Sequence, residues 1–182
     1  FLDSPMAVDT TAIYQRHRAE HRLSAEECSG MCRAAKMVRT VDESKALAGL
    51  SVPAVIISAS GMASGGRVLH HLKNLLPDRR NTVLLAGYQA GGTRGARLAR
   101  GERSLRIFGQ DVPVRAEVRS LPGMSAHADA AQLMQWLGTA PAAPRRIFLN
   151  HGEPDALDAL RQRIERELHW PTTIPMLGQS AE

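Results

Sequence analysis

Ser51-Val52-Pro53-Ala54-Val55-Ile56-Ile57-Ser58-Ala59-Ser60-Gly61-Met62-Ala63-Ser64-Gly65-Gly66-Arg67 is the stretch whose reading decides the fold. Its first part, 52–58, is a short apolar, β-branched run of the kind that forms a buried parallel strand. A glycine-rich turn follows, and residues 67–76 read as a helix closed by Pro77-Asp78. The same order recurs at once, with a strand at 82–87, a turn at 88–95 and a short helix at 96–100. Two successive strand–turn–helix units predict an α/β fold with a parallel sheet flanked by helices.

Upstream, Ser4-Pro5 opens a helix over 6–22, with Met6, Ile13 and Tyr14 as packing residues. Residues 24–50 are polar and poorly periodic, and read as further helix and loop. Downstream, Gly101-Glu102 marks a domain boundary. Residues 104–121 alternate like antiparallel strands turning at Gln110-Asp111. A loop at 122–128 leads to a helix at 129–138. After a proline-bounded linker, 141–144, residues 146–150 read as a buried strand ending at His151. An amphipathic helix over 154–168 places Leu157, Leu160, Ile164 and Leu168 on one face, and a strand at 172–177 closes the chain.

At 182 residues and 43% hydrophobic, the chain can build a packed core, and wholesale disorder is excluded. No apolar run approaches the roughly 20 residues of a membrane span, and the start lacks the basic and apolar regions of a signal peptide. No membrane partner is expected. The chain begins on Phe1, and its first residues read as the end of a strand, so we expect an excerpt of a longer protein. Cys28 and Cys32 form no disulfide framework, which fits a reducing, cytoplasmic setting. They stand four apart, as do His17 and His21, a spacing that suits metal binding on a helix, but neither pair has further ligands nearby. A net charge of +5 suits a polyanionic partner. Lysine occurs only at 36, 45 and 73, so the other 20 of 23 basic residues are arginine, which a GC-rich genome also produces. Aromatic residues make up only 4%, so nucleic-acid contact is expected at phosphates, not at stacked bases.

Two local motifs carry chemistry. Gly123-Met124-Ser125-Ala126-His127-Ala128-Asp129 and Leu149-Asn150-His151-Gly152-Glu153-Pro154 each put a histidine just before a helix. In α/β proteins such junctions are where ligands and catalytic groups converge. Histidine serves as acid, base or metal ligand near neutral pH. Ser125 and Asp129 either fix the His127 ring or cap the next helix. The glycines at 61, 65 and 66 clear side chains from the helix starting near Arg67, so free N–H groups and the helix dipole face an anion, with Arg67 adding a bidentate contact. Gly91-Gly92-Thr93-Arg94 repeats the arrangement. Equally, these glycines serve tight turns. Neither turn is a P-loop or a dinucleotide-binding fingerprint.

Taken together, these motifs resemble the β-CASP branch of the metallo-β-lactamase fold, nucleases such as RNase J and the mRNA 3′-end cleavage endonuclease. Ser125-Ala126-His127-Ala128-Asp129 is similar to the family's motif B, and Asn150-His151-Gly152-Glu153 to its motif C. Ser60-Gly61-Met62 through Gly65-Gly66-Arg67, Gly87-Tyr88-Gln89 through Thr93, and Asp3-Ser4-Pro5-Met6-Ala7 match further family segments, all in family order. The resemblance implies a zinc-dependent ribonuclease using two zinc ions in the complete enzyme, with a metal-bound hydroxide attacking an RNA phosphodiester. It makes His151 a zinc ligand and His127 the group that protonates the leaving oxygen. With RNA as substrate, Ser60, Gly61, Gly65, Gly66, Arg67, Gly92, Thr93 and Ser125 are read as the phosphate contacts, and Asp129 and Glu153 as supports for the histidines.

One departure matters. The family's His-x-His-x-Asp-His motif, its further ligands and its acidic motif A do not occur here. Residues 1–101 are therefore read as most of the β-CASP domain, and 102–182 as the C-terminal segment of a metallo-β-lactamase αββα domain. The isolated chain is expected to be inactive, its latter part packing incompletely or forming a homodimer. A non-catalytic phosphate-binding module is the alternative. A Ser-His-Asp hydrolase built on Ser125 or Ser60 ranks last, because no Gly-x-Ser-x-Gly elbow is present.

Overall fold

The computed structural model describes residues 1–121, 123–124 and 127–180, and its contacts divide into two compact units, 1–124 and 125–182. It is a mixed helix-and-strand protein containing parallel sheets, as the sequence predicts. No described helix is long and apolar enough to cross a membrane.

Capping fixes the helices of the polar first stretch. In α1 (Pro5–Arg16) the Ser4 hydroxyl accepts from the Ala7 N–H at 3.3 Å and Pro5 occupies the first turn. Capping boxes, Ser24 with Glu27 and Thr40 with Glu43, start α2 (Ala25–Arg33) and α3 (Val41–Ala46). Between them Leu2 bridges to both Met37 and Ile57 in parallel sense. The expected buried strand at 52–58 is reduced to that one bridge, and Val52, Val55 and Ile57 are 64%, 73% and 55% exposed. Pro53 has no N–H to add to a ladder, and the run gains a partner only through Phe1 and Asp3.

Asp3 is the most constrained side chain here. It is fully buried, and accepts from Ser44 Oγ at 2.6 Å, His71 Nε2 at 2.6 Å and Arg67 Nη1 at 2.7 Å. An ionised carboxylate only accepts, so His71 must carry its proton on Nε2. Burial pushes the Asp3 carboxyl up, but hydrogen bonds from Ser44, His71 and Arg67, with the Arg67 charge, outweigh it and hold the carboxyl below its ordinary value.

The core of this unit gathers around α4 (Val68–Leu75). Leu69, Leu72 and Leu76 meet Leu85 of β1 (Thr82–Leu85) and Leu98 of α5 (Arg94–Ala99). Leu105 and Ile107 of β2 (Ser104–Ile107) and Val112 of β3 (Gln110–Pro113) join the same core, while Ser104 and Arg106 face out. The β2–β3 hairpin turns at Phe108-Gly109, not at 110–111. Both turn residues have positive φ, 48° and 76°, the backbone twist that a two-residue hairpin favours. The next strand, β4 (Glu117–Ser120), does not continue the antiparallel order but pairs parallel with β1, Thr82 opposite Glu117 and Leu85 opposite Ser120. Its approach is fixed by the Arg115 and Ala116 N–H groups, which both donate to the Leu76 carbonyl, and by Glu117 N–H donating to Asn81. The division between compact units falls after Met124.

The second unit holds α6 (Ala130–Leu137), β5 (Ile147–Phe148), α7 (Pro154–Leu168) and β6 (Thr172–Thr173). β5 and β6 pair in parallel, α7 contacts β6, and Ile164 is its buried anchor. Phe148 is 42% exposed, so the strand expected to be buried at 146–150 is short and half open, with one neighbour strand among the described residues.

Replacing Asp3 by Ala should cost about 3 kcal/mol or more, since it strands the partners of a buried charge. Because the folded-state pKa of Asp3 is depressed, its contribution is present above the unfolded value of about 3.9 and is lost as pH falls through the lower folded value. Urea unfolding of wild type and Asp3→Asn between neutral and acid pH should show the wild-type advantage shrinking over that window.

Candidate active site and phosphate-binding turns

In the first unit, the two glycine-rich turns meet each other. Gly95 N–H donates to the Met62 carbonyl at 3.0 Å, and Gln89 Nε2 donates to the Gly61 carbonyl at 3.1 Å. Gly66 needs to be glycine: φ is 77°, and a Cβ there would lie 3.1 Å from the Ala59 carbonyl oxygen. Ser60 Oγ accepts from the Ser64 N–H at 3.2 Å. Around Gly61 and Gly65 the space in front of the Cα is open.

The donors expected to face an anion are largely occupied within the protein. At the start of α4, Val68 N–H donates to Ala59 and Leu69 N–H to Gly66. Thr93 caps α5, its hydroxyl accepting from Ala96 N–H at 3.2 Å and donating to the Ala90 carbonyl at 2.7 Å. Arg67, expected to contact phosphate, turns inward: beyond Asp3 it donates to the Val38 and Arg39 carbonyls, and its side chain is 19% exposed. Its geometry is that of a structural arginine. What remains open is a concavity of about 300 Å³ lined by Ser64, Gly92, Thr93, Arg94, Arg97 and Arg106. Each of its arginines is anchored, Arg94 on the Arg106 carbonyl, Arg97 on Glu102 and Arg106 on Asp111.

The second unit carries both histidines. His127 is exposed and stands two residues before Asp129, the N-cap of α6. The Asp129 carboxylate accepts from Gln132 N–H at 2.8 Å, so it acts as a cap. Ser125 lies outside the described residues. His151 has the same offset, two residues before Glu153, the N-cap of α7. It is exposed in a left-handed conformation, φ 65°, and its N–H donates to the Asn150 side-chain oxygen at 2.8 Å. Gly152 lets the Leu157 side chain close on the backbone, since a Cβ would lie 2.9 Å from it. The two motifs thus share one local plan, a histidine on the turn that launches a helix.

Among the described residues no group of three or more His, Cys, Asp or Glu side chains lies close enough to hold a metal ion. His17 and His21 are directed to separate partners, Glu20 and the Tyr14 carbonyl. Cys28 and Cys32 are free thiols. The buried pairing of His71 with Asp3 is not among the sites that the sequence motifs point to. Its signal was present, because His71 follows Val68 by three and precedes Leu75 by four, on the inward stripe of α4.

A family model described as the Beta-Casp domain matches residues 1–98. This chain belongs to the β-CASP family. A second model, the Zn-dependent metallo-hydrolase RNA specificity domain, matches residues 111–175. Ribonuclease TTHA0252 of Thermus thermophilus is 38% identical over 169 residues, covering 88% of this chain and 38% of the relative. Transcription termination factor FttA of Pyrococcus abyssi is 35% identical over 128 residues, 68% of this chain and 20% of the relative. An RNase J-like protein of Methanocaldococcus jannaschii is 36% identical over 126 residues, 69% and 29% of the two chains. The β-CASP chain described here thus spans well under half the length of these relatives.

A Cβ at Gly95 would meet Gln89 Oε1 at 1.6 Å, so Gly95→Ala must expel the amide that links the turns. We expect a loss of about 1–3 kcal/mol. In a double-mutant cycle followed by urea unfolding, Gly95→Ala should cost clearly less in a Gln89→Ala background than in wild type.

Proposed function

We propose that this chain is part of a metal-dependent ribonuclease that hydrolyses RNA phosphodiester bonds. The observation that carries it is the paired placement of His127 and His151, each two residues before a helix N-cap in one compact unit and each within a β-CASP-like motif. The ribonuclease and RNase J-like names of its relatives support the same reading. His127, exposed on its turn, holds the proton delivered to the departing oxygen. The positively charged concavity at Ser64, Gly92 and Thr93 receives phosphates upstream or downstream of the cut. In family terms we assign 1–101 to the β-CASP domain and 102–182 to the returning lactamase segment, in line with models that end at 98 and resume at 111.

A zinc centre does not fit the described residues taken by themselves, because they gather no ligand set of three. We propose that His151 supplies one ligand and that the others come from parts of the protein beyond these residues. The lack of a ligand set also favours one second reading, in which this portion grips RNA phosphates and contributes no chemistry.

Zinc content should separate a partial site from a complete one. After zinc loading, the chain should hold no more tightly bound metal than His151→Ala, and retention of about one ion or more per chain would overturn the shared-site reading. In the longer protein, RNA cleavage should stop on chelation, resist serine reagents, and fall about 10²-fold or more in His127→Ala. Cleavage that survives chelation but not a serine reagent would sink the metal-dependent reading. Full activity of His127→Ala would leave the binding-module reading in place.

A further inference from the structure

The first unit carries a second cationic concavity at the other end of its parallel sheet. It is a shallow, open hollow of about 630 Å³ lined by Arg79, Arg103, Pro113, Val114, Arg115 and Glu117. Arg79 sits in the turn just before β1, and Arg115 two residues before β4. Both lie at the strands' N-terminal ends, whereas the turn at Gly87–Thr93 follows β1's C-terminal end. At about 3.3 Å per residue, the four residues of β1 alone separate the two surfaces by roughly 13 Å.

Charge accounting singles this surface out. Nearby arginines are matched to carboxylates: Arg80 to Asp78, Arg97 to Glu102, Arg106 to Asp111 and Arg119 to Glu117. Among the described residues no carboxylate pairs with Arg79, Arg103 or Arg115, and all three are exposed. Glu117, the one acid in the lining, is already engaged by Arg119 at 2.7 Å. The backbone beneath is fixed: Val114 N–H donates to the Arg103 carbonyl at 2.8 Å, and Arg115 N–H to the Leu76 carbonyl at 2.8 Å. Three unneutralised guanidinium groups are thus presented from three separate segments on a rigid frame. Such a surface attracts phosphates and releases their counterions. No aromatic residue lines it, so it reads no base.

We propose that Arg79, Arg103 and Arg115 form a second phosphate-binding surface that holds the RNA backbone away from the glycine-rich turns. This rests on the reading that the protein acts on RNA. It extends the RNA path along the unit and sets no sequence preference, because every contact is to the backbone.

Binding of a labelled single-stranded RNA oligonucleotide to the chain, measured over a series of salt concentrations, tests it. Wild type is compared with the triple variant Arg79→Ala/Arg103→Ala/Arg115→Ala. A charge-matched control, Arg80→Ala/Arg100→Ala/Arg166→Ala, removes three exposed, ion-paired arginines that line neither concavity. Each single-strand phosphate contact contributes about 0.7 to the slope of log affinity against log salt, so the first triple should flatten it by about 2, and the control by well under 1. Equal flattening by both triples, or none by the first, would overturn the proposal while leaving the RNA reading intact. No RNA binding by wild type at any salt would overturn both. The replaced groups are exposed side chains, and unchanged thermal midpoints verify that the fold persists.

Discussion

A carboxylate fully buried from solvent organises the first unit. Asp3 cannot remain ionised in a buried site unless its oxygens are fully engaged, and three donors from distant parts of the chain converge on it. Ser44 brings in α3, Arg67 brings in the glycine-rich turn together with the 38–39 loop, and His71 brings in α4. Once α4 is placed, its leucines define where β1, α5 and the β2–β3 hairpin must pack. A half-satisfied network of this kind is worse than an apolar core, so the segments are held together or not at all.

The glycine-rich turns show how one sequence pattern serves two physical ends. Glycines before a helix clear space for an anion, and they equally allow two backbones to approach. Here the close approach dominates: Gly95 touches the other turn, Gln89 spans the two, and the first donors of α4 are consumed internally. What faces solvent is a cationic concavity bordered by the turns, so phosphate attraction comes from arginine side chains more than from bare N–H groups.

Much of the fold was legible because local chemistry and periodicity agree. The amphipathic helix at 154–168 lies where it was read, and Ser4-Pro5 starts a helix as its chemistry dictates. The two βα units yielded one true strand, 82–85, because the partner of a short apolar run is a non-local fact. Nothing in Val55-Ile56-Ile57 states that only Leu2 will pair beside it. The hairpin was found with its turn misplaced by two residues, since Phe108 is an unusual host for positive φ; the His70 ring, 4.6 Å away, packs against it. The histidine motifs were legible as motifs. The inward turn of Arg67 was not legible, because a guanidinium suits an RNA phosphate and a buried aspartate equally well, and only the fold reveals that Asp3 is near.

The parallel pairing of β1 with β4 carries a consequence for synthesis. Thr82 finds its partner Glu117 only after another 35 residues have been made. At about 5–20 residues per second, a ribosome leaves that edge of β1 uncovered for roughly 2–7 s. During that interval its N–H and C=O groups form a template for strands of other nascent chains, and Leu84, 56% exposed even in the finished unit, adds an apolar contact. The hairpin between them, which forms locally in microseconds and docks Leu105 and Ile107 onto α4, then draws β4 toward that edge as soon as it emerges.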